Sequence, residues 1–148
     1  MKKSGFMIVA LLLTVALLVP IVVLQAKTVS ACAGPTCYEG LSPGYWKNHV
    51  DVWDGYSPSD DFDTVFGTEA FAPDVTLIEA LNLKGGKLNA LARHAVAALL
   101  NAAHPEINYC WNASVVISKV QDAIASGDYE PLKDDLDEAN NLGLSDGD

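Results

Sequence analysis

Apolar residues along this 148-residue chain are first continuous and then periodic. From Phe6 to Leu24 the run FMIVALLLTVALLVPIVVL carries no charge and is interrupted only by Thr14 and Pro20. Beyond residue 42 the spacing becomes helical. Ser42 and Pro43 form a cap and first-turn pair, and Trp46, Val50 and Trp53 recur at intervals of four and three, which predicts one short helix through Trp53 with those residues on a shared face. A turn follows around Phe62, Val65 and Phe66. Thr76 and Glu79 form a capping box that opens TLIEALNL, a helix that stops at Lys84-Gly85-Gly86. The stretch KLNALARHAVAALLNAAH, residues 87–104, is apolar around most of its circumference and is closed by Pro105, which predicts a helix at the centre of a bundle. Asn112 caps a further helix over 113–126 with Val116, Ile117, Val120 and Ile124 inward. A last helix starts at Pro131, places Leu132, Leu136 and Ala139 on one side, and stops near Gly143. No alternating strand pattern occurs. The expected fold is therefore all-α, a compact bundle of about five helices preceded by an N-terminal signal or anchor helix.

The first apolar run changes how the chain is divided. Lys2 and Lys3 precede it, and Val29 and Ala31 are the small residues that a signal peptidase reads, so residues 1–31 form a signal peptide or membrane anchor and residues 32–148 an exported helical domain. Several processing routes fit these residues. Cleavage after Ala31 would free the domain, while VSAC has the form of a lipobox that would leave Cys32 as a lipid-bearing N-terminus. KKSGF resembles a prepilin leader cut after Gly5, although Ala10 stands where a mature pilin carries glutamate. An uncleaved anchor is also long enough to span a bilayer, which needs roughly 17–25 helical residues. Any membrane contact is expected only through residues 6–24 or a lipid on Cys32.

Charge narrows the partners. Residues 1–31 hold three lysines and no acid, so the part beyond them carries six basic against nineteen acidic residues, a net charge of −13. Such a field repels nucleic acid, so the expected partner is an extracellular or envelope protein. Cysteine is odd in number: Cys32, Cys37 and Cys110. If Cys32 is acylated, Cys37 and Cys110 remain to pair across a loop of more than seventy residues, a staple worth about 4 kcal/mol in the chain-entropy account. Otherwise one thiol is left over or links two chains, and unpaired buried thiols are the third arrangement.

Residues with reactive chemistry are few. The histidines are His49, His94 and His104; the last two lie ten positions apart on one predicted helix, about 80° around its axis and about 15 Å along it, too far apart to share a metal. Folding alone would bring His49 to His94. Asp60, Asp61 and Asp63, with Asp54 nearby, offer the hard oxygens that calcium prefers, and Asp61 and Asp63 with His49 and His94 are the candidate metal ligands. An EF-hand register fails, because Phe66 and Ala72 occupy the sixth and twelfth positions from Asp61. The expectation is no cofactor, with weak structural calcium as the exception. Asn112-Ala113-Ser114 fits a glycosylation sequon, although an N-cap role accounts for Asn112 without modification and is the favoured reading. No HExxH or paired CxxC motif occurs. No catalytic residue is assigned.

The stretch GLSPGYWKNH, residues 40–49, resembles the opening of a family of exported bacterial and archaeal surface domains that begin near G-C-T-P-G-Y/F-W-K-N-H. The resemblance continues through Gly85-Gly86, LARHAVAALLNAAHP at 91–105, VISKVQDAI at 116–124 and ANNLG at 139–143. It implies export, a helical fold and no established catalysis. Leu41 and Leu144 stand where that family usually has cysteine, which leaves Cys37 and Cys110 as a substitute bridge and a Leu–Leu contact in place of the lost pair. Within the motif, Trp46 is expected to be buried, worth on the order of 2–3 kcal/mol, with its indole N–H needing an internal acceptor. Tyr45, Trp46, Lys47, Asn48 and His49 are then a structural clamp, in which Asn48 and His49 tie the opening helix to the central one that carries Arg93 and His94. The expected function is a non-enzymatic secreted or cell-surface module in envelope structure, adhesion or protein–protein contact. A small metal-dependent hydrolase using His49 and His94, or a pilin-like filament subunit, are the alternatives.

Overall fold

A computed structural model describes residues 39–144. The predicted signal or anchor segment, Cys32 and Cys37 lie outside the described residues. Six α-helices are present: α1 (Pro43–Asn48), α2 (Phe62–Phe66), α3 (Leu77–Asn82), α4 (Leu88–Ala103), α5 (Ala113–Ser126) and α6 (Glu130–Asn140), with one 3-10 turn at Val50–Val52 after α1. Among the described residues there is no strand, only two isolated antiparallel bridges, Gly40 with Gly143 and Asp61 with Thr76. No helix among them is long and apolar enough to cross a membrane.

The centre is α4, as its all-round apolar character predicts. Every residue from Ala95 to Asn101 is buried, and α1, α3, α5 and α6 all pack against this one helix. Its alanines make that possible: Ala92, Ala95, Ala97 and Ala98 are fully buried, and a methyl group lets a neighbouring backbone come closer than a branched side chain would. Most helix ends obey local chemistry. The Thr76 hydroxyl accepts the Glu79 amide while the Glu79 carboxylate accepts the Thr76 amide, so the expected capping box forms. Asn112 caps α5 as expected, through its Oδ1 and the Val115 amide at 3.0 Å. Gly67 and Gly127 end α2 and α5 in left-handed conformation, where φ values of 64° and 72° suit glycine.

Two expectations are corrected. The turn around Phe62 is a helix, because the Asp61 carboxylate accepts the Thr64 amide at 2.7 Å and caps it, bringing the number of helices to six. The helix expected to run through Trp53 stops at Asn48. His49 leaves helical geometry at φ −129° and ψ 53°, so Val50 falls outside the apolar face and is 43 % exposed. Trp53 still reaches the first helix, since its indole N–H donates to the Trp46 carbonyl at 2.9 Å. That bond takes up an acceptor that a longer helix would have needed.

The two ends of the described region meet. Gly40 and Gly143 exchange amide bonds of 2.8 and 3.0 Å, and Gly40 lies so close to the end of α6 that a Cβ there would sit 2.0 Å from the Ala139 carbonyl oxygen. Only glycine permits this approach. Gly40→Ala should therefore destabilise the domain by about 2–3 kcal/mol through overpacking. Gly44→Ala, whose new methyl would meet only the Ser42 hydroxyl at 3.5 Å, should be neutral or stabilise α1 by about 0.5 kcal/mol. Urea unfolding of the two variants beside the parent chain checks both.

Candidate functional site: a buried polar node under the aromatic motif

The conspicuous YWKNH motif is placed by the start of α1. The Ser42 hydroxyl accepts the Tyr45 amide at 3.2 Å and Pro43 supplies the first helical φ, so the chain turns sharply and drives Trp46 into the core, where it is 1 % exposed. Its indole N–H donates to Oδ1 of Asn101 on α4 at 3.1 Å. The same oxygen accepts the Leu41 amide at 2.9 Å. The Asn101 amide nitrogen donates in turn to the Leu41 carbonyl and to Oδ1 of Asn140 on α6, each at 2.9 Å. Both acceptor sites and both donors of a fully buried side chain are thereby occupied.

Asn140 extends the node. Its amide nitrogen donates to the His94 carbonyl at 2.9 Å, and its oxygen also accepts the Tyr109 hydroxyl at 2.8 Å. One connected set of bonds thus joins the segment before α1, the motif tryptophan, α4 at His94 and Asn101, the loop after it and the last turn of α6. Sequence reasoning missed Asn101, Asn140 and Tyr109. The signal for Asn101 was there: it is the one amide within the apolar run from Ala95 to Ala103.

The clamp residues are distributed differently from expectation. Asn48 and His49 do not reach Arg93 or His94: the Asn48 amide donates to the Gly44 carbonyl, and His49 Nδ1 donates to the Tyr45 carbonyl, both at 2.8 Å and both within α1's own neighbourhood. The His49 ring stacks on Tyr45 at 4.1 Å and stays exposed. The physical reason is reach: in a helix a polar side chain finds the carbonyl four residues back before it finds another helix. Lys47 is exposed. Arg93 instead braces the turn before α4, its Nη1 donating to the carbonyls of Leu83 at 2.9 Å and Gly85 at 3.0 Å. His104 ends α4, with its Nδ1 accepting the Glu106 amide at 3.3 Å.

His94 sits between α4 and α6, its Nδ1 buried without a hydrogen bond and 3.7 Å from Oδ1 of Asp137. Burial pulls its pKa below the ordinary imidazole value; Asp137 opposes this, Arg93 and Lys133 reinforce it, and Asp134 opposes it weakly. His49 and His94 therefore have separate surroundings, one an exposed ring stack and the other a half-buried helix contact.

The acidic loop is bound up with its own backbone. Asp60 accepts the Ser57 amide at 2.8 Å. Asp63 is buried and accepts the Thr68 hydroxyl at 2.5 Å and the amides of Ala70 and Phe71 at 2.8 and 2.9 Å. Burial alone would raise the Asp63 pKa, but those three bonds outweigh it and hold the carboxyl below its usual range. A cleft of about 460 Å³ opens beside Asp61, Asp63, Glu69 and Asp74. Among the described residues no group of three or more His, Cys, Asp or Glu side chains is placed to hold a metal ion, and His49, His94 and the Asp61–Asp63 pair have separate surroundings. Asn112 is exposed and its oxygen also accepts the Ser114 hydroxyl at 2.7 Å. Cys110 is half-buried near Asn108, whose amide donates to the Glu39 carboxylate at 2.6 Å.

Asn101→Leu leaves the Trp46 indole, the Leu41 amide and carbonyl and part of Asn140 without partners, and is expected to cost about 3–4 kcal/mol. Trp46→Phe removes one donor and some volume and should cost about 1–2 kcal/mol. Thermal unfolding compares them. For His94 the sign is fixed by its lowered pKa: the unfolded chain binds the proton more readily, so stability is full above the ordinary value near 6.5 and falls as pH drops through the folded value. His94→Leu should remove this slope, read as the urea midpoint between about pH 8 and about pH 5.

No protein-family model, curated protein or solved structure matches this chain.

Proposed function

We propose that the chain is a non-enzymatic helical module, exported by way of residues 1–31, that works at the cell surface or outside it in envelope structure, adhesion or protein–protein contact. The observation that carries this reading is how the motif's chemistry is spent. Trp46, Asn101, Asn140 and Tyr109 direct their polar atoms at one another and at backbone groups inside the core. The acids of the 60–63 loop likewise accept their own backbone amides. Side chains used in this way brace a fold.

Other features support the same reading. Leu41 and Leu144, the positions at which the similar exported family carries cysteine, line one apolar cleft of about 180 Å³ next to the Gly40–Gly143 bridge. A cysteine pair would suit that place, and this supports the likeness. The bond from Asn108 to Glu39 brings the chain two residues from Cys37 beside the chain two residues from Cys110, which supports their pairing as the staple used here in an oxidising compartment. The net charge of −13 beyond residue 31 supports a protein partner over nucleic acid.

Cell fractionation followed by non-reducing intact-mass measurement tests the reading. The protein is expected in the envelope or the medium, beginning at Cys32 with or without lipid, and two hydrogens lighter than its reduced form. A chain beginning at Phe6 would point to the pilin-like alternative. Full-length protein inside the cell, with its thiols reduced, would refute export altogether.

A further inference from the structure

Beyond residue 31 the chain has six cationic side chains, among them Lys47, Lys84, Lys87 and Arg93. Lys47, Lys84 and Arg93 line a single cleft of about 240 Å³ between α1, the end of α3 and α4, and no acidic residue lines it. Lys87 follows the lining residue Gly85 by two positions. It is held at φ 54° and ψ −132°, a conformation in which glycine is usual and a lysine is strained. Among the described residues none of the four has a carboxylate within ion-pair distance, whereas Lys133 is paired with both Glu130 and Asp134. In a domain with a threefold excess of acids, cations gathered without counter-ions repel one another and would ordinarily be neutralised by neighbours.

Arg93 is set for a ligand. Its Nη1 is fixed on the carbonyls of Leu83 and Gly85 and, at 3.3 Å, of Asn89, so the guanidinium is immobilised. The N–H groups on Nε and Nη2 make no bond among the described residues. A planar fork held rigid with one edge open is the geometry that meets two oxygens of an anion, and the lysines add mobile charge on either side.

We propose that this cleft binds an oxyanion of the phosphate or sulfate type, either free or carried on a sugar. Its volume suits one such group, and a compact anion with several oxygens can meet all three lining cations together. An extended polyanion is disfavoured, because beyond a Debye length of about 8–10 Å the acidic remainder of the surface repels it. The assignment goes beyond the export reading and holds whether or not that reading does. It also gives Lys47, whose ammonium makes no bond among the described residues, a use.

Calorimetric titration of the full chain in non-ionic detergent, with sodium phosphate, sodium sulfate and glucose 1-phosphate at ionic strength held constant by chloride, tests the proposal. Saturable binding of at least one of these probes is expected. Lys47→Gln and Lys84→Gln should each weaken it about threefold to tenfold, and the double variant should abolish it. Arg93→Gln also removes anchors of the turn before α4 and can unfold the chain. The lysine variants change only exposed side chains, and circular dichroism checks that they remain folded. A stronger response to glucose 1-phosphate assigns the site to a carried group, and a stronger response to the inorganic ions to a free one; either supports the cleft. Heats no larger than the chloride control for all three probes, or binding unchanged in the double lysine variant, would overturn it.

Discussion

A side-chain amide removed from water costs several kcal/mol unless each of its groups finds a partner, and Asn101 is removed from water completely. Its carbonyl oxygen holds the Trp46 indole and the Leu41 amide, while its nitrogen holds the Leu41 carbonyl and Asn140. An apolar residue at this point of α4 would pack, but it would not tell the chain before α1 where to stop or the end of α6 how far to come in. The node converts non-directional burial into a register between segments far apart in sequence.

The short helices around it depend on that register. α1 has only six residues and α2 only five, lengths at which a helix in isolation does not persist. They survive because caps set their first turns and because Trp46, Phe62 and Phe66 are buried against the longer helices. The closure of Gly40 on Gly143 is part of the same arrangement. It places Leu41 where its amide and carbonyl can both be read by Asn101, and it places the start of the described chain against the end of α6.

Charge is divided unevenly over this frame. Carboxylates in the 60–63 loop are satisfied by backbone amides, which lowers the need for external counter-ions there. Among the described residues the cations Lys47, Lys84 and Arg93 hold no carboxylate partner, and only Arg93 is bonded to backbone. In an acidic chain this local reversal of sign is the surface feature least explained by solubility alone. The helical frame explains the position of Arg93, whose carbonyl contacts brace the turn into α4, but not the convergence of Lys47 and Lys84 on the same cleft.

Local sequence determined the helices. Periodicity and caps act over three or four residues, so the central role of α4, the Thr76–Glu79 box, the Asn112 cap and the stop at Gly127 were all legible in the order of residues. The break at His49 was not, because Trp46, Val50 and Trp53 fit a helix as spacing; the tertiary bond of the Trp53 indole to the Trp46 carbonyl goes with the other conformation. Burial of Trp46 followed from its size, but the identity of its acceptor did not. Asn101 is 55 positions away in the chain, and the partners of a buried amide are set by which backbone groups the packed helices bring within 3 Å. The expected reach of Asn48 and His49 toward the central helix failed for the complementary reason, since carbonyls one turn back were closer. Sequence specified which residues needed partners, and only the packing of α1, α4 and α6 decided which partners they found.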